Sequence, residues 1–545
     1  MQRLVHEMLL DSSRRSAAQP AVICDGRVWT YAELTSRMLR LASVLRDAGV
    51  SKGARVLVAL NEKQDFLASI FATMAAGGIA VPCPEHSVPD SLRYYLDDST
   101  PRVIMTSRSH TARYPMLNGL RKAEIMFVED VPFDPHSMGK ERSELRVGDF
   151  RERVGGTDIE EHDGAMILYT SGTTGKRKGV LLTHMNLVQA TQNINAFMGI
   201  DARTCEFIGV PLTHSFGFGR SRCVLAVGGT IVVSNGMLNP AAAVNFIRNH
   251  QCNALSMVPA GFAMFFGRFE HLLGEISPQI RWIEIGSSPM HLHHKLKLLK
   301  FFPQARICMH YGLTEASRST LIEFHGELSH IDTVGRPSPN CEIVVLDPHD
   351  RQVRSNEIGE IAVRGKHVMT TYWNDHESTQ SYRSHEGWFK TGDYGFLDHE
   401  GYLHLLGRRD DIINTGGVKV SPLELEGTIA SIYPGIEVCV VGAPDPGQVL
   451  GQVPALCYVS QNGWHLTGRE LEEALVQRIE RNKMPRIIHR FNKFPKTENG
   501  KIIRGEVQKL LRQAMKQDPM RSHTENVLQK ETGRPHVASV TGKVR

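Results

Sequence analysis

The segment from Leu168 to His184, LYTSGTTGKRKGVLLTH, combines residue types that suit phosphate binding. Between its two apolar runs lie four hydroxyl side chains, three glycines and three consecutive basic residues. Backbone N–H groups, hydroxyls and cations on such a turn can surround phosphate oxygens. The spacing is not that of a Walker A loop, because Gly172 is followed after only two residues by Gly175 and Lys176. An ordinary Gly/Ser/Thr surface turn is the alternative at this point.

The elements that must position this turn are short β-type apolar runs alternating with helix-length segments. The runs are RVLVAL at 55–60, RVIMTS at 102–107, AMILYT at 165–170, GTIVVS at 229–234 and NALSMV at 253–258. This alternation predicts an α/β domain with largely parallel sheets. Tyr169 ends one strand pattern and VLLTHMNLVQA resumes an apolar helical pattern, so we expect the polar segment to form the turn between them.

Length and texture predict more than one domain. At 545 residues the chain exceeds what one hydrophobic core usually organises. Closely spaced strand patterns begin after about residue 330, and a second change follows Gly407. We predict an α/β fold with a large N-terminal domain of parallel-type sheets layered with helices plus a β-rich subdomain at 1–408. A small α+β domain at 409–516 and a disordered tail at 517–545 follow.

Charge and cysteine content narrow the class of partner. The 63 basic and 58 acidic residues give a formal net charge of +5, which is too balanced for a nucleic-acid or anionic-membrane surface. The nine cysteines form no C-x-x-C pair and no Cys/His cluster at zinc spacing, which is typical of reduced thiols in a cytoplasmic protein. We therefore expect a small-molecule partner and no nucleic acid. We also expect a monomer or homodimer.

One uncharged segment, FLASIFATMAAGGIAVPC from Phe66 to Cys83, is long enough to cross a membrane. Its hydroxyl residues Ser69 and Thr73, and its shift from helix formers through two glycines to IAVPC, favour another structure. We predict a buried helix, a Gly-Gly turn and a buried strand, without a transmembrane segment.

Six motifs occur in order along nearly the whole chain. They are YTSGTTGKRKGV at 169–180, PLTHSFGFG at 211–219, YGLTEAS at 311–317, KTGD at 390–393, GRRDDIINTGGVKVSPLELE at 407–426 and PKTENGKIIR at 495–504. Together they resemble the signatures of the adenylate-forming superfamily, which includes acyl-CoA synthetases, firefly luciferase and peptide-synthetase adenylation domains. The resemblance is to the AMP-dependent acyl-CoA synthetase branch.

The resemblance implies an AMP-forming acid–thiol ligase that uses ATP, Mg²⁺ and CoA or a holo carrier protein. It assigns ATP or AMP binding to Thr170, Ser171, Gly172, Thr173, Thr174, Gly175, Lys176, Ser287, Tyr311, Gly312, Asp393 and Arg408. Tyr311 would support the adenine ring, Asp393 would accept both ribose hydroxyls, and Arg408 would assist at the ribose. Taken singly, Asp393 is also typical of a turn and Arg408 of a surface cation.

The resemblance implies four catalytic residues, Thr314, Glu315, His214 and Lys501. Thr314 would donate to the α-phosphate, and Glu315 would bind Mg²⁺ with ATP, with Thr170 as a second metal residue. Lys501 would reach the carboxylate and the bridging oxygen during adenylation. For YGLTEAS alone, a helix N-cap is the alternative reading.

In this superfamily the small C-terminal domain rotates between two poses, one for each half-reaction. The resemblance places the pivot at Asp410 and the thiol tunnel at Gly416, Gly417 and Lys419. The first pose would bring Lys501 to the site, and the second would bring in the Gly416–Gly417 segment.

The acyl pocket is assigned to His214, Phe216, Met257, Gly261, Met264 and Gly286. In acyl-CoA synthetases the position of His214 lies near the acyl carboxylate, although a core histidine is the alternative. PLTHSFGFG has no acid, so an α-amino acid substrate is disfavoured. An apolar pocket admits an aryl, medium-chain or fatty acid, and the same residues are equally typical of general core.

Three functions remain open. The first is ATP-dependent activation of a carboxylic acid to an acyl-adenylate, with pyrophosphate release and transfer to CoA. The second is a stand-alone adenylating enzyme that loads a carrier-protein phosphopantetheine or forms an amide. The third is an inactive nucleotide-binding scaffold, against which the intact Glu315, Asp393, Lys419 and Lys501 argue.

Overall fold

The computed structural model describes residues 3–85, 87–119, 123–133, 159–170, 177–234, 239–266, 269–416, 418–446, 449–460, 466–476, 478–497 and 500–517. It divides into two compact units, Met1–Leu405 and Leu406–Arg545. Residues 518–545 of the predicted tail lie outside the described ranges. The predicted domain limits at 408 and 516 and the disorder of the tail stay predictions.

The first unit is a layered structure of helices and strands. Its helices are α1 (Val5–Ser16), α2 (Tyr31–Asp47), α3 (Lys63–Ala75), α4 (Pro89–Ser99), α5 (Arg108–Arg113), α6 (His184–Met198), α7 (Ser215–Val227), α8 (Pro240–Asn249), α9 (Pro259–Ala263), α10 (Glu270–Ile276), α11 (Leu292–Phe301) and α12 (His376–Ser381). Its first strands are β1 (Pro20–Cys24), β2 (Arg27–Thr30), β3 (Arg55–Ala59), β4 (Ile79–Pro82), β5 (Val103–Thr106), β6 (Glu124–Phe127), β7 (Gly164–Thr170), β8 (Lys178–Thr183), β9 (Cys205–Ile208) and β10 (Thr230–Val233). The later strands are β11 (Ala254–Met257), β12 (Trp282–Ile285), β13 (Arg306–Tyr311), β14 (Thr320–Glu323), β15 (Arg336–Pro337), β16 (Glu342–Leu346), β17 (Gly359–Arg364), β18 (Thr371–Tyr372), β19 (Phe389–Leu397) and β20 (Leu403–Arg408), and the unit boundary falls within β20.

Three sheets organise these strands. A nine-stranded sheet has the order β15-β14-β13-β12-β11-β9-β10-β1-β2, and its central strands from β1 to β13 pair in parallel. A seven-stranded sheet has the order β18-β8-β7-β4-β3-β5-β6. A four-stranded sheet, β16-β17-β19-β20, forms the β-rich part. One apolar cluster joins residues of the two larger sheets with α1, α2, α3 and α7, so both sheets share a core.

The five quoted apolar runs form strands. Each strand is almost fully buried, as expected for strands in a largely parallel sheet that is covered on both faces. The apolar segment from Phe66 to Cys83 also has the predicted structure, with α3, a turn at Gly77 with φ +86°, and β4. Among the helices that the structure describes, none combines the length and apolar character that a bilayer crossing needs.

The helical interpretation of VLLTHMNLVQA is wrong for its first four residues. Val180 to Thr183 continue β8, which pairs antiparallel with β7. Helix α6 begins at His184 instead, because the Thr183 hydroxyl accepts from the backbone N–H of Asn186 and the Asn186 side chain accepts from the N–H of Thr183. The segment TSGTTGK, which we call the predicted phosphate loop, therefore lies between two strands, and its residues 171–176 lie outside the described ranges.

The second unit is a smaller α+β structure. It contains α13 (Pro422–Ile432), α14 (Gly468–Leu475), α15 (Arg504–Gln517), β21 (Ile413–Thr415), β22 (Val418–Val420), β23 (Ile436–Pro444), β24 (Gln452–Ser460) and β25 (Ile487–Arg490). Strands β23-β24-β25 form one sheet and β21-β22 a hairpin. The predicted α/β fold class is confirmed, whereas the mobility of the C-terminal unit stays a prediction.

Candidate active site

The predicted site residues of the first unit gather at one sheet edge. Parallel strands β9, β11, β12 and β13 end at this edge, and ligands of open α/β sheets bind beyond the carboxyl ends of strands. The segments that follow these strands carry His214, Phe216, Gly261, Met264, Gly286, Ser287, Gly312, Thr314 and Glu315. The topology therefore brings the predicted nucleotide motif YGLTEAS and the predicted acyl residues to the same edge.

Tyr311 and Asp393 form a buried pair. The Tyr311 hydroxyl donates to Asp393 Oδ2 at 2.7 Å, and the two residues are 7% and 5% exposed. Asp393 follows Gly392, which has φ +73°, at a register shift where β19 bulges against β17. A bulge re-aims the side chains of an edge, so this one explains how a strand residue reaches Tyr311.

Glu315 is held by a residue that the motifs did not include. The Tyr372 hydroxyl donates to Glu315 Oε1 at 2.8 Å. The Lys178 ammonium lies 5.0 Å from the Tyr372 ring centroid and 4.6 Å from that of Tyr382. This arrangement orients a hard carboxylate close to the phosphate-loop strand β8. Proteins usually bind Mg²⁺ through one or two carboxylates together with the phosphate oxygens of a nucleotide, and Glu315 could supply such a carboxylate.

The YGLTEAS segment is a compact loop and not a helix start. Leu313 and Ala316 exchange backbone hydrogen bonds, with N···O distances of 3.0 and 3.2 Å. A Cβ on Gly312 would lie 2.5 Å from the backbone nitrogen of Arg318, so only glycine allows this loop to double back. The helix N-cap alternative for Thr314 is therefore excluded.

His214 precedes helix α7 at the same edge. It is the N-cap residue with extended backbone, φ −104° and ψ 156°, and its side chain does not cap the helix. Its imidazole is half-buried, beside the positive end of the α7 dipole. Ser287, after β12, has φ +74°, a strained conformation for a non-glycine residue and one that clusters at functional sites.

A buried ionic network lies next to the predicted acyl residue Phe216, whose backbone oxygen accepts a hydrogen bond from Arg318. Arg220 binds Glu206 in bidentate fashion, at 2.9 and 2.5 Å, and its Nη1 lies 2.9 Å from Glu284 Oε2. Arg318 Nε donates to Glu284 Oε1 at 3.1 Å, and His310 Nδ1 lies 2.7 Å from the same oxygen. Burial opposes the ionisation of Glu284, but the charges of Arg318 and Arg220 outweigh it and hold the pKa of that carboxyl well below its ordinary range.

We expect Glu284→Gln to lower the free energy of unfolding of the N-terminal unit by about 3–5 kcal/mol, because it leaves the buried charges of Arg220 and Arg318 incompletely paired. Denaturant unfolding at neutral pH checks this. The matched control is Glu342→Gln, which removes an exposed carboxylate 2.6 Å from Arg364 and should change stability little. Equal effects of the two substitutions would contradict the prediction.

The comparison of wild type with Glu284→Gln also gives a prediction for the pH dependence of stability. The folded-state pKa of Glu284 lies below its unfolded value, so its ionised form stabilises the protein above the ordinary carboxyl range. That contribution is lost as the pH falls through the folded-state pKa. We expect the stability difference between wild type and Glu284→Gln to shrink on acidification, as measured by unfolding across an acid pH series.

The remaining acyl residues are placed differently from one another. Phe216 and Met257 are buried. Gly261 and Met257 are in close contact, because a Cβ on Gly261 would lie 2.9 Å from Met257 Cε. Met264 is 45% exposed, and its assignment to the acyl pocket stays a prediction. A cavity of about 10 Å³, the space of about one water molecule, lies beside Thr314 and is also lined by Ser215 and Arg222.

In the second unit, Lys501 lies on a tight turn. Thr497 N donates to Lys501 O, and Gly500 N donates to Thr497 O, both at 2.8 Å, with Gly500 at φ +75°. The Lys501 side chain is exposed. Burial raises the pKa of the nearby Asp411, opposed by the charges of Arg504, Lys501 and Arg408. The charges of Lys501 and Arg408 thus both act on the carboxylate of Asp411.

The other predicted residues of this unit lie near its start. Asp410 is 67% exposed in a short 3-10 turn, Arg409–Asp411. Gly416, at φ +57°, donates its N–H to Leu450 O, and Lys419 lies on the exposed side of β22. Gly417 and the phosphate-loop residues Ser171, Gly172, Thr173, Thr174, Gly175 and Lys176 lie outside the described ranges. Thr170 ends β7, and its hydroxyl donates to Lys178 O at a long 3.4 Å.

Sequence reasoning missed Tyr372, Glu284 and His310. Tyr372 carries no motif signal. Glu284 interrupts the apolar run of β12, and Arg220 occurs within the apolar helix α7. A charged residue within an otherwise apolar, buried pattern indicates a buried ion pair, and this signal could have identified Glu284. His310 directly precedes the quoted YGLTEAS motif.

Comparison with known proteins identifies the family of the chain. The AMP-binding enzyme family matches residues 9–373, and the AMP-binding enzyme C-terminal domain matches residues 424–501. A feruloyl-CoA synthase of Amycolatopsis sp is 29% identical over 507 residues, which cover 91% of this chain and 97% of that protein. The 4-coumarate–CoA ligase-like 2 protein of Arabidopsis thaliana is 28% identical over 503 residues, covering 89% and 86%.

A solved structure shares the fold. ATP-bound MatB from Rhodopseudomonas palustris has a TM-score of 0.82 at 24% identity and covers 94% of this chain and 100% of that chain. The family match spans more than half of the present chain and includes the β7–β8 hairpin and the YGLTEAS loop. The resemblance to adenylate-forming enzymes is therefore confirmed, and the chain belongs to the family of AMP-binding enzymes.

Proposed function

We propose that this enzyme activates a carboxylic acid with ATP and transfers the acyl group to the thiol of CoA. The observation that carries the proposal is the arrangement at the sheet edge, where the Tyr311–Asp393 pair and the Tyr372-held Glu315 flank Thr314. The feruloyl-CoA and 4-coumarate–CoA relatives support an acid–CoA ligase. An aryl, medium-chain or fatty acid remains the proposed substrate class.

The first half-reaction joins the acid to AMP. A carboxylate oxygen forms a bond to the α-phosphorus, the bond from that phosphorus to the bridging oxygen breaks, and pyrophosphate leaves with the electron pair. Thr314 would donate to the α-phosphate, Asp393 would accept from the ribose, and Lys501 would stabilise the developing charge. Glu315 would hold Mg²⁺, which when bound neutralises phosphate charge.

The second half-reaction releases AMP. The CoA sulfur forms a bond to the acyl carbon, the carbon–oxygen bond to AMP breaks, and the thiol proton is lost. His214, at the positive end of α7, would lie near this carbonyl. Gly416, Gly417 and Lys419 would line the thiol tunnel after rotation of the C-terminal unit.

Pyrophosphate release tests the function directly. The protein is incubated with ATP, Mg²⁺ and a panel of acids, and CoA, a holo carrier protein or amines are added in separate arms. The proposal expects acid-dependent release and a thioester with CoA. Preferential turnover with the carrier protein or an amine favours a stand-alone adenylating enzyme, and no exchange with any acid favours a nucleotide-binding scaffold.

The pivot gives a separate prediction. Proline at 410 fixes φ there and restricts residue 409, so Asp410→Pro should prevent rotation of the C-terminal unit. We expect adenylate formation to persist while thioester formation from a supplied acyl-adenylate falls by on the order of a hundred-fold, as for a misplaced reacting group. Asp410→Ala, which keeps torsional freedom, is the control, and unimpaired overall turnover of Asp410→Pro counts against the pivot.

A further inference from the structure

The imidazole of His310 fills the space between two residues of the predicted acyl pocket. Its ring centroid lies 4.9 Å from that of Phe216, with an interplanar angle of 83°. On its other side, a Cβ on Gly286 would lie only 2.0 Å from His310 Cε1 and 2.1 Å from Nε2. Glycine at 286 therefore accommodates the ring, and the ring leaves no gap between Gly286 and Phe216.

The ring is fixed in this position. His310 is 8% exposed, and its Nδ1 lies 2.7 Å from the carboxylate of Glu284, which is itself held by Arg220 and Arg318. The Arg318 guanidinium also lies 5.0 Å from the centroid of the Phe216 ring. Moving the imidazole would break its contact with a buried carboxylate, so a substrate does not displace it cheaply.

The surrounding residues offer little alternative room. The methyl group of Met257 packs against the backbone of Gly261, and the cavity beside Thr314 has room for about one water molecule. Within the network, the carboxylates of Glu206 and Glu284 are matched by two arginines.

We infer that His310 is the end wall of the acyl pocket and restricts the enzyme to acids with a compact acyl group. The inference rests on the proposed acid–CoA ligase activity. His310 acts by occupying volume, and Glu284 positions it. Acids with a longer aryl group, such as ferulate, would overlap the imidazole.

The test compares kcat/KM for benzoate and ferulate in the CoA-dependent reaction, using the full chain. Wild type should prefer benzoate. His310→Ala should raise the ferulate-to-benzoate ratio by on the order of tenfold or more, as expected for opening a pocket by several heavy atoms. His310→Gln, which keeps most of the volume but not the ring, should leave the ratio near that of wild type.

A stability cycle tests the packing independently of activity. Gly286→Ala should lower the thermal unfolding midpoint because its Cβ overlaps the ring, and adding His310→Ala to it should recover most of the loss. Additive effects in this cycle overturn the inference, as does turnover with an unchanged ratio in His310→Ala or a wild-type preference for ferulate. No turnover with any acid overturns the proposed function, and the inference with it.

Discussion

Lys501→Ala is expected to lower acyl-adenylate formation by on the order of a hundred-fold or more, as deletion of a transition-state donor does. Transfer from a supplied acyl-adenylate to CoA should largely survive, because the bond between the α-phosphorus and the bridging oxygen, where Lys501 would act, breaks only in the first half-reaction. The exposed position of Lys501 on a short turn, closed by Gly500, suits a residue that serves one pose of the unit.

Separate assays of the two half-reactions check this prediction. The matched control is Lys496→Ala on the same turn, since the Lys496 ammonium lies 2.7 Å from Glu437 and is already engaged in a surface ion pair. That variant should retain both half-reactions. Equal loss of both half-reactions in Lys501→Ala would show that the lysine supports the unit and does not act on the phosphate.

The fold was predictable where burial and periodicity agree. The apolar runs that became β3, β5, β7, β10 and β11 are short, buried and bounded by polar or turn residues, so only one element type fits them. VLLT was misassigned because four apolar or β-branched residues suit either a strand or the first turn of a helix. The capping box at Thr183 and Asn186 decides between them, and it lies within the segment that was read as continuous helix.

The site was predictable only through its motifs. Tyr311, Asp393 and Glu315 lie in quoted segments, but their partners come from pairings of distant strands. Tyr372 reaches Glu315 because β18 pairs with β8 at the edge of the other large sheet. Such contacts depend on sheet order, which local patterns do not encode. His310 was missed because its function depends on the absence of a side chain at Gly286.

Asp393→Asn is expected to lower kcat/KM for ATP by on the order of a hundred-fold, because hydrogen bonds to a charged acceptor contribute about 1.5–3 kcal/mol each. An ionised Asp393 can accept from both ribose hydroxyls as well as from Tyr311, whereas asparagine presents one carbonyl oxygen. The buried position of the carboxylate, fixed by Tyr311 at 2.7 Å, means that water does not compete strongly for these bonds.

The use of 2′-deoxy-ATP separates ribose binding from a role in the β19 turn. Wild type should discriminate strongly against the deoxynucleotide, and Asp393→Asn should bring the ratio of kcat/KM for the two nucleotides close to one. Tyr311→Phe removes the hydroxyl that orients Asp393 but leaves the carboxylate, so most of the discrimination should remain. If Asp393→Asn lowers activity but keeps the full discrimination, Asp393 supports the bulge at Gly392 and does not contact the ribose.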